Sequence, residues 1–171
     1  MKPNVTLDTN CIIDLEIDGP EADDIRTLIQ MHKDHGINLR IVAVSASERK
    51  RDRTYASSFD EFKDRIASIG LGTVEILKPI AYWGVSFWDW CVYAGDEMVN
   101  LERKIHENLF PNIEFSYRDF CAKQGLDPCS REMDPKWRNA KCDVLCLWSH
   151  IWYDSGIFVT SDENFHSATK K

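Results

Sequence analysis

Short apolar, β-branched runs alternate along this chain with segments of helical periodicity, and this alternation constrains the fold more than any other feature. A run of this kind, only a few residues long, is typical of a strand buried on both faces. Such strands belong to parallel sheets that are covered by helices. The pattern therefore predicts an α/β protein with a mainly parallel central sheet. The predicted strands lie at 5–7, 39–44, 72–77 and 157–160.

The segments between these strands predict amphipathic helices. Their apolar residues recur every three or four positions, and glycine, proline or capping residues mark their ends. The 171 residues suffice for one domain, so residues 1–171 are predicted to form a single domain with an elaborated, aromatic-rich helical insert at about 79–138. The helices are predicted at 20–35, 58–69, 87–109 and 139–155, with a shorter one at 117–123.

The net charge of −7 argues against a nucleic-acid partner only until its distribution is considered. Seven acidic residues and one lysine among the first 25 residues account for −6 of that charge. The rest of the chain is nearly neutral, and local charge determines what a surface attracts. It contains two basic clusters, which are Arg49, Lys50, Arg51 and Arg53, and Arg131, Lys136, Arg138 and Lys141.

Other features of the sequence indicate a compartment. No apolar run is long enough to span a bilayer, and the N-terminus lacks the apolar core of a signal peptide. We therefore expect a cytoplasmic protein with no membrane partner. The six cysteines include no C-x-x-C pair and are expected to be reduced thiols packed in the core.

Three of the predicted strands lead into a carboxylate. Asp8 follows the first strand directly, Glu48 comes about one helical turn after the second, and Asp162 follows the last. A fourth acid, Asp143, lies on an apolar face of its helix, where a carboxylate is costly unless it is hydrogen-bonded or bound to a cation. Because ligands bind at the carboxyl ends of parallel strands, we expect the four acids to converge at one edge of the sheet.

Converging carboxylates repel one another, so cations are needed to neutralise them. Oxygen ligands without histidine or cysteine suit Mg²⁺ or Mn²⁺. One or two such ions activate water for phosphodiester hydrolysis. The basic residues next to these acids in sequence would hold the backbone of a nucleic acid; they are Arg49, Arg51, Arg53, Arg138 and Lys141.

Each of the four acids also has a purely structural interpretation. Asp143 would form an ion pair with Arg138 or Lys141, and the other three would cap a helix or occupy solvated turns. All four would then have to meet at one sheet edge by coincidence, and this favours the metal site.

Four segments resemble the motifs of the PIN domain. Asp8-Thr9-Asn10 after the first strand is similar to its opening D-T-N, and 160–165 is similar to its closing T-x-D-x-x-F. Glu48 and the helix that bears Asp143 resemble its second and third acidic positions. Order and approximate spacing agree from end to end, and only 79–138 is longer than in the compact toxins of this family.

The resemblance implies a three-layer α/β/α sandwich and a metal-dependent endoribonuclease that leaves a 5′-phosphate and a 3′-hydroxyl. The acids Asp8, Glu48, Asp143 and Asp162 would bind Mg²⁺ or Mn²⁺ directly or through water. Asn10 and Thr160 would orient them, because ligating carboxylates are themselves hydrogen-bonded. Many members are toxins of VapBC-type toxin–antitoxin pairs. A protein antitoxin is therefore an expected partner beside the RNA substrate, and a homo-oligomer stays open.

Two other functions are left open by the sequence. A PIN-like module could bind RNA or protein without cleaving it. A haloacid-dehalogenase-type phosphatase also begins with an aspartate after a strand, but it needs D-x-D, and Asn10 stands two residues after Asp8. In the insert, the helical spacing of Trp83, Phe87 and Trp90 indicates a stripe that either packs on the core or stacks bases or a partner.

Overall fold

The computed structural model describes residues 2–48, 56–130, 132–154 and 156–166. In these segments the chain forms four strands and seven α-helices, with 3₁₀ helices at Ala43–Ser47 and Trp88–Trp90. The strands are β1 (Asn4–Leu7), β2 (Asn38–Val42), β3 (Glu75–Leu77) and β4 (Ile157–Val159). The helices are α1 (Thr9–Ile17), α2 (Ala22–Lys33), α3 (Phe59–Ser68), α4 (Asp96–Leu109), α5 (Tyr117–Gln124), α6 (Pro135–Trp152) and α7 (Glu163–His166).

The four strands form one sheet in the order β3-β2-β1-β4, and every neighbouring pair is parallel. In this register Val5 of β1 lies between Leu39 of β2 and Ile157 of β4. The predicted α/β class with a parallel central sheet is confirmed. Because the strands are parallel, their carboxyl ends share one edge. We call it the carboxyl edge, and its strands end at Leu7, Val42, Leu77 and Val159.

Two apolar cores, one on each face of the sheet, make the architecture a three-layer sandwich. On one face, Val5 and Leu7 of β1 pack with side chains of α1, α2 and α3. On the other face, Val42 packs with Val144 and Trp148 of α6 and with side chains of α4 and α5. Successive residues of a strand point to opposite faces, and the sheet therefore supplies side chains to both cores.

The predicted helix at 87–109 is wrong in its first part, because α4 begins only at Asp96. The residues before it form a 3₁₀ turn, in which the ring of Trp90 stacks on Phe59 of α3 with their centroids 4.3 Å apart. Tertiary packing of this kind overrides local helical periodicity. The aromatic residues of the segment therefore do not form the predicted helical stripe.

The other predicted elements are present with shifted ends. The strand predicted at 72–77 is reduced to β3, and the helix predicted at 139–155 begins earlier, at Pro135. Asp134 caps this helix by accepting hydrogen bonds from the backbone N–H groups of its first turn. Proline at the first helical position fits this start, since its missing N–H would have no partner within the helix.

Within the described segments, no helix is both long and apolar enough to cross a bilayer. All six cysteines are free thiols, as expected. Cys11, Cys121, Cys142 and Cys146 are buried, whereas Cys129 is exposed, so the prediction that the cysteines pack in the core holds for most of them.

Candidate metal centre

The structure brings the four predicted acids to the carboxyl edge. Asp8 follows β1, Glu48 follows the 3₁₀ helix after β2, and Asp162 lies three residues beyond β4. Asp143 reaches the same region from α6. Burial and then the charges of the other three acids raise the pKa of Asp143, so the four carboxyl groups lie within one another's electrostatic field.

Thr160 links the acids that follow the two neighbouring strands β1 and β4. Its hydroxyl donates to Oδ2 of Asp8 at 2.7 Å and accepts from the backbone N–H of Asp162 at 3.0 Å. The carboxylate of Asp8 also accepts from the backbone N–H of Thr9 at 2.8 Å, and Asp8 therefore caps α1 as well. Its structural interpretation and its place in the acid cluster are thus compatible.

Thr9 makes the corresponding link between β1 and the chain after β2. Its hydroxyl oxygen lies 2.5 Å from Oε1 of Glu48 and 2.7 Å from Oγ of Ser45. A hydroxyl has one proton, so when Thr9 donates to the carboxylate it accepts from Ser45. This arrangement holds Glu48 beside Asp8 across the gap between the two strands.

Asn164 completes the chain of contacts at the start of α7. Its amide nitrogen lies 3.5 Å from Oδ2 of Asp143 and 3.4 Å from Oδ2 of Asp162, and its backbone N–H donates to Asp162 at 2.7 Å. The hydrogen-bond network therefore extends from Glu48 to Asp143 and joins all four acids.

The cluster is electrostatically unfavourable as long as its groups are ionised. Burial, followed by repulsion from Asp8, raises the pKa of Glu48 to about 8. Burial, followed by repulsion from Glu48, raises the pKa of Asp143 to about 9. Burial also raises the pKa of Asp8, although hydrogen bonds from Thr160 and Thr9 oppose that shift. In the metal-free protein near neutral pH, burial and mutual repulsion therefore favour the protonated forms of Glu48 and Asp143.

The structural interpretation of Asp143 as an ion-pair partner is not supported. None of the four acids belongs to an ion pair among the described residues, which include Arg138 and Lys141. Without a cation of its own, the group is costly in its ionised form.

The prediction that Lys141 contacts RNA is wrong. Its side chain is 1% exposed, and Nζ lies 2.6 Å from Oε1 of the equally buried Glu102 of α4. It also donates to the backbone oxygen of Phe115, and three aromatic rings surround it. Because it lies inside the second core, Lys141 cannot contact a phosphate backbone.

Arg138 is half-buried, and two of its N–H groups point inward to the backbone oxygen of Ser47. Its predicted contact with RNA stays a prediction. The same holds for the other basic residues assigned to RNA, Arg49, Arg51 and Arg53, and for Lys50 beside them, because all four lie outside the described residues.

Of the two residues predicted to orient the acids, Asn10 and Thr160, one is found in the network. Thr160 takes its expected place, whereas the side chain of Asn10 makes no hydrogen bond within the described residues. Sequence reasoning missed Thr9, Asn164 and Cys146. The buried Cys146 thiol of α6 lowers the pKa of Asp8, against the larger effect of burial. The first two stand inside the D-T-N and T-x-D-x-x-F segments, so their position was a usable signal. The role of Cys146 had no comparable signal.

The donor set fits a hard divalent cation in its chemistry. It consists of carboxylates with hydroxyl and amide groups around them, and such ligands suit Mg²⁺ or Mn²⁺. In the part of the chain that the structure describes, no three His, Cys, Asp or Glu side chains form a ready-made group that could hold a metal ion. The acids share an electrostatic field, but among these residues they do not form one preformed set of metal ligands.

A wide cleft among the described residues lies beside the cluster rather than at it. It has a volume of about 1190 Å³ and is lined by aromatic residues of the insert and the start of α6, including Tyr82, Trp83 and Trp137. A cavity of about 160 Å³ shares Gly84 and Arg138 with it. None of the four acids lines either space.

Comparison of the chain with models of protein families, with curated proteins and with solved structures finds no match.

Proposed function

We propose that this protein is a metal-dependent endoribonuclease, with a PIN-like site at the carboxyl edge. One observation carries the proposal: four acids from four separate segments meet at that edge, and none of them has an ion-pair partner among the described residues. Burial and the neighbouring acids raise the pKa values of Asp8, Glu48 and Asp143. Ionising these buried acids together is costly without a counter-charge, and a cation bound at the site would offset that cost.

The motifs that carry the resemblance support this proposal by their location. The D-T-N segment provides Asp8 and Thr9, and the T-x-D-x-x-F segment provides Thr160, Asp162 and Asn164. All of them take part in the network at the carboxyl edge. A phosphatase of the haloacid-dehalogenase type gains no support, because the position of its proton donor is Asn10.

The chain's own residues would bind and orient the ions. Asp8, Glu48, Asp143 and Asp162 would supply anionic oxygens. The side chains of Thr9, Thr160 and Asn164 contact all four of those carboxylates. A bound Mg²⁺ or Mn²⁺ supplies activation of water and stabilisation of the leaving oxygen. The protons held by Glu48 and Asp143 must leave when the cation binds, because ligating carboxylates are deprotonated.

RNA is the proposed substrate on the strength of the resemblance and of the basic clusters in the sequence. We further propose the role of a toxin in a toxin–antitoxin pair as one version of this activity, with RNA processing as the other. The sequence of the neighbouring reading frame separates them, because a small DNA-binding protein encoded there would indicate an antitoxin.

The test is cleavage of an unstructured RNA by the purified protein. EDTA should abolish cleavage, and Mn²⁺ or Mg²⁺ should restore it. Asp8→Asn should lower the rate by several orders of magnitude while the fold stays intact, because it removes ligand charge but little volume. Asp24→Asn is the matched control, since Asp24 is an exposed residue of α2. Undiminished cleavage by folded Asp8→Asn protein would exclude this site.

A second candidate is a PIN-like module that binds RNA or protein without cleaving it. Two observations favour it: the absence of a ready-made metal group among the described residues, and the 80% exposure of Trp83 next to the large cleft. Binding of RNA in Mn²⁺ without any cleavage would support this alternative over the ribonuclease.

A further inference from the structure

We propose that Arg138 is a positioning residue that holds Glu48 in the acid cluster through the backbone of Ser47. This inference rests on the proposed metal-dependent function, and it assigns Arg138 a role different from the contact with RNA that the sequence suggested.

Two N–H groups of the Arg138 guanidinium donate to the same backbone oxygen. Its Nε and Nη2 atoms donate to the carbonyl oxygen of Ser47 at 3.2 and 2.9 Å. Two N–H groups in the fixed fork of one guanidinium restrain both the position and the direction of this acceptor. Lysine, with a single ammonium nitrogen on a flexible stem, cannot reproduce this geometry.

A contact with the backbone of Ser47 affects the position of Glu48, because Ser47 directly precedes it. It is buried, it is the last residue of the 3₁₀ helix, and the next residue is Glu48 in an extended conformation. Carbonyl groups at the end of a helix have no partner within the helix, so a partner from elsewhere must satisfy them when they are buried. By binding this oxygen, Arg138 fixes the position of the backbone immediately before Glu48, and thereby the position from which the Glu48 side chain extends.

The same helix therefore places two of the four acids. Asp143 is carried by α6 itself, one turn and a half beyond Arg138, and Glu48 is held by α6 through Arg138. A shift of α6 would thus displace both acids together.

The experiment measures Mn²⁺ affinity by calorimetry in wild-type protein, Arg138→Lys and Arg138→Gln. Both variants should bind Mn²⁺ roughly tenfold more weakly or worse, the usual effect of removing a group that orients a metal ligand. Arg118→Lys, at an exposed position of α5, is the matched control and should leave the affinity unchanged. Thermal unfolding identifies any variant that fails to fold. The Mn²⁺ affinity of the variant that does fold then tests the proposal.

A double-mutant cycle with Glu48→Gln shows whether Arg138 acts through Glu48. In the Glu48→Gln background, Arg138→Lys should cause little further loss of Mn²⁺ affinity, because the side chain that it positions no longer carries the ligating charge. Equal losses in the two backgrounds would overturn the proposal. Loss of RNA binding in EDTA with unchanged Mn²⁺ affinity would also overturn it, in favour of a direct phosphate contact.

Failure of the proposed function gives a different result. Wild-type protein that binds no Mn²⁺ would overturn the metal-dependent function itself, and the positioning role would fall with it. Wild-type protein that binds Mn²⁺, with Arg138 variants of equal affinity, would overturn the positioning role alone.

Discussion

Thr160 donates a 2.7 Å hydrogen bond to Asp8 across the ends of two adjacent parallel strands. This bond joins the first and last predicted motifs of the chain, which are 152 residues apart in sequence. The same hydroxyl accepts from the backbone of Asp162, so one small side chain restrains two of the four acids. The candidate centre therefore depends on strand pairing between β1 and β4 as much as on the acids themselves.

Thr160→Val should weaken Mn²⁺ binding by about 10- to 100-fold, because it removes the donor to Asp8 while keeping the shape of the side chain. The loss of that hydrogen bond should also raise the pKa of Asp8 further. Calorimetric titration with Mn²⁺ measures the effect. Thr27→Val is the control, since the hydroxyl of Thr27 donates to the backbone of its own helix, at Asp23. Equal affinity in Thr160→Val and wild type would show that Thr160 does not orient a ligand.

The free energy of unfolding of the metal-free protein should fall as pH rises from about 4 to about 9. The pKa of Asp143 is raised from 3.8 to about 9, so over this range the native state holds a proton that the unfolded state has released. The slope from this one group is at most about 1.4 kcal/mol per pH unit. Glu48 adds to it between its ordinary pKa of 4.5 and about 8.

Asp143→Asn should remove much of that slope. The variant should melt at a higher temperature than wild type at pH 8 without metal, match it near pH 4, and respond less to Mn²⁺. Thermal scans of both proteins at several pH values, with and without Mn²⁺, measure this. An Asp143→Asn protein that is less stable at pH 8, with an undiminished Mn²⁺ shift, would show that Asp143 is structural.

Binding of Mn²⁺ near pH 7 should release more than one proton per protein. Glu48 and Asp143, with pKa values of about 8 and about 9, are protonated there and must ionise to bind the cation. Calorimetry in buffers with different ionisation enthalpies counts these protons. The affinity should also rise as the pH is raised from 6 to 8. A binding enthalpy that is independent of the buffer would contradict the shared protonation of the cluster.

Lys141→Met should destabilise the protein by about 3–5 kcal/mol, because it leaves Glu102 buried without its partner. The double variant Lys141→Met/Glu102→Leu should recover most of that loss, since an apolar pair of similar volume fits a core. Urea unfolding measures both.

The exposed pair of Lys63 and Asp60 is the control for this comparison. Lys63→Met should change stability by no more than about 1 kcal/mol.

The double variant also tests whether Lys141 contacts RNA. If it did, the double variant would bind RNA more weakly and with a shallower salt dependence. We expect the RNA affinity and its salt dependence to be unchanged, because Lys141 is 1% exposed.

Much of the framework was predictable because it depends on local patterns. Buried strands are recognisable from short β-branched runs, and the residues just beyond them share one edge in any parallel sheet. This reasoning located Asp8, Glu48 and Asp162, and the apolar neighbours of Asp143 singled out the fourth acid. The helix before Asp96 was predicted incorrectly because packing of Trp90 on Phe59 outweighs the periodicity of its own segment.

The sequence by itself indicated the class of fold and the four acids. Each strand, helix and acid was recognisable from its own neighbours in the chain. Only the tertiary structure decided the direction of the basic side chains on α6. Lys141 turns toward Glu102, 39 residues away, and Arg138 toward Ser47, 91 residues away. A cationic side chain near an acid in sequence looks the same whether it faces solvent or the core. The difference comes from the buried partners, which only folding brings into contact with it.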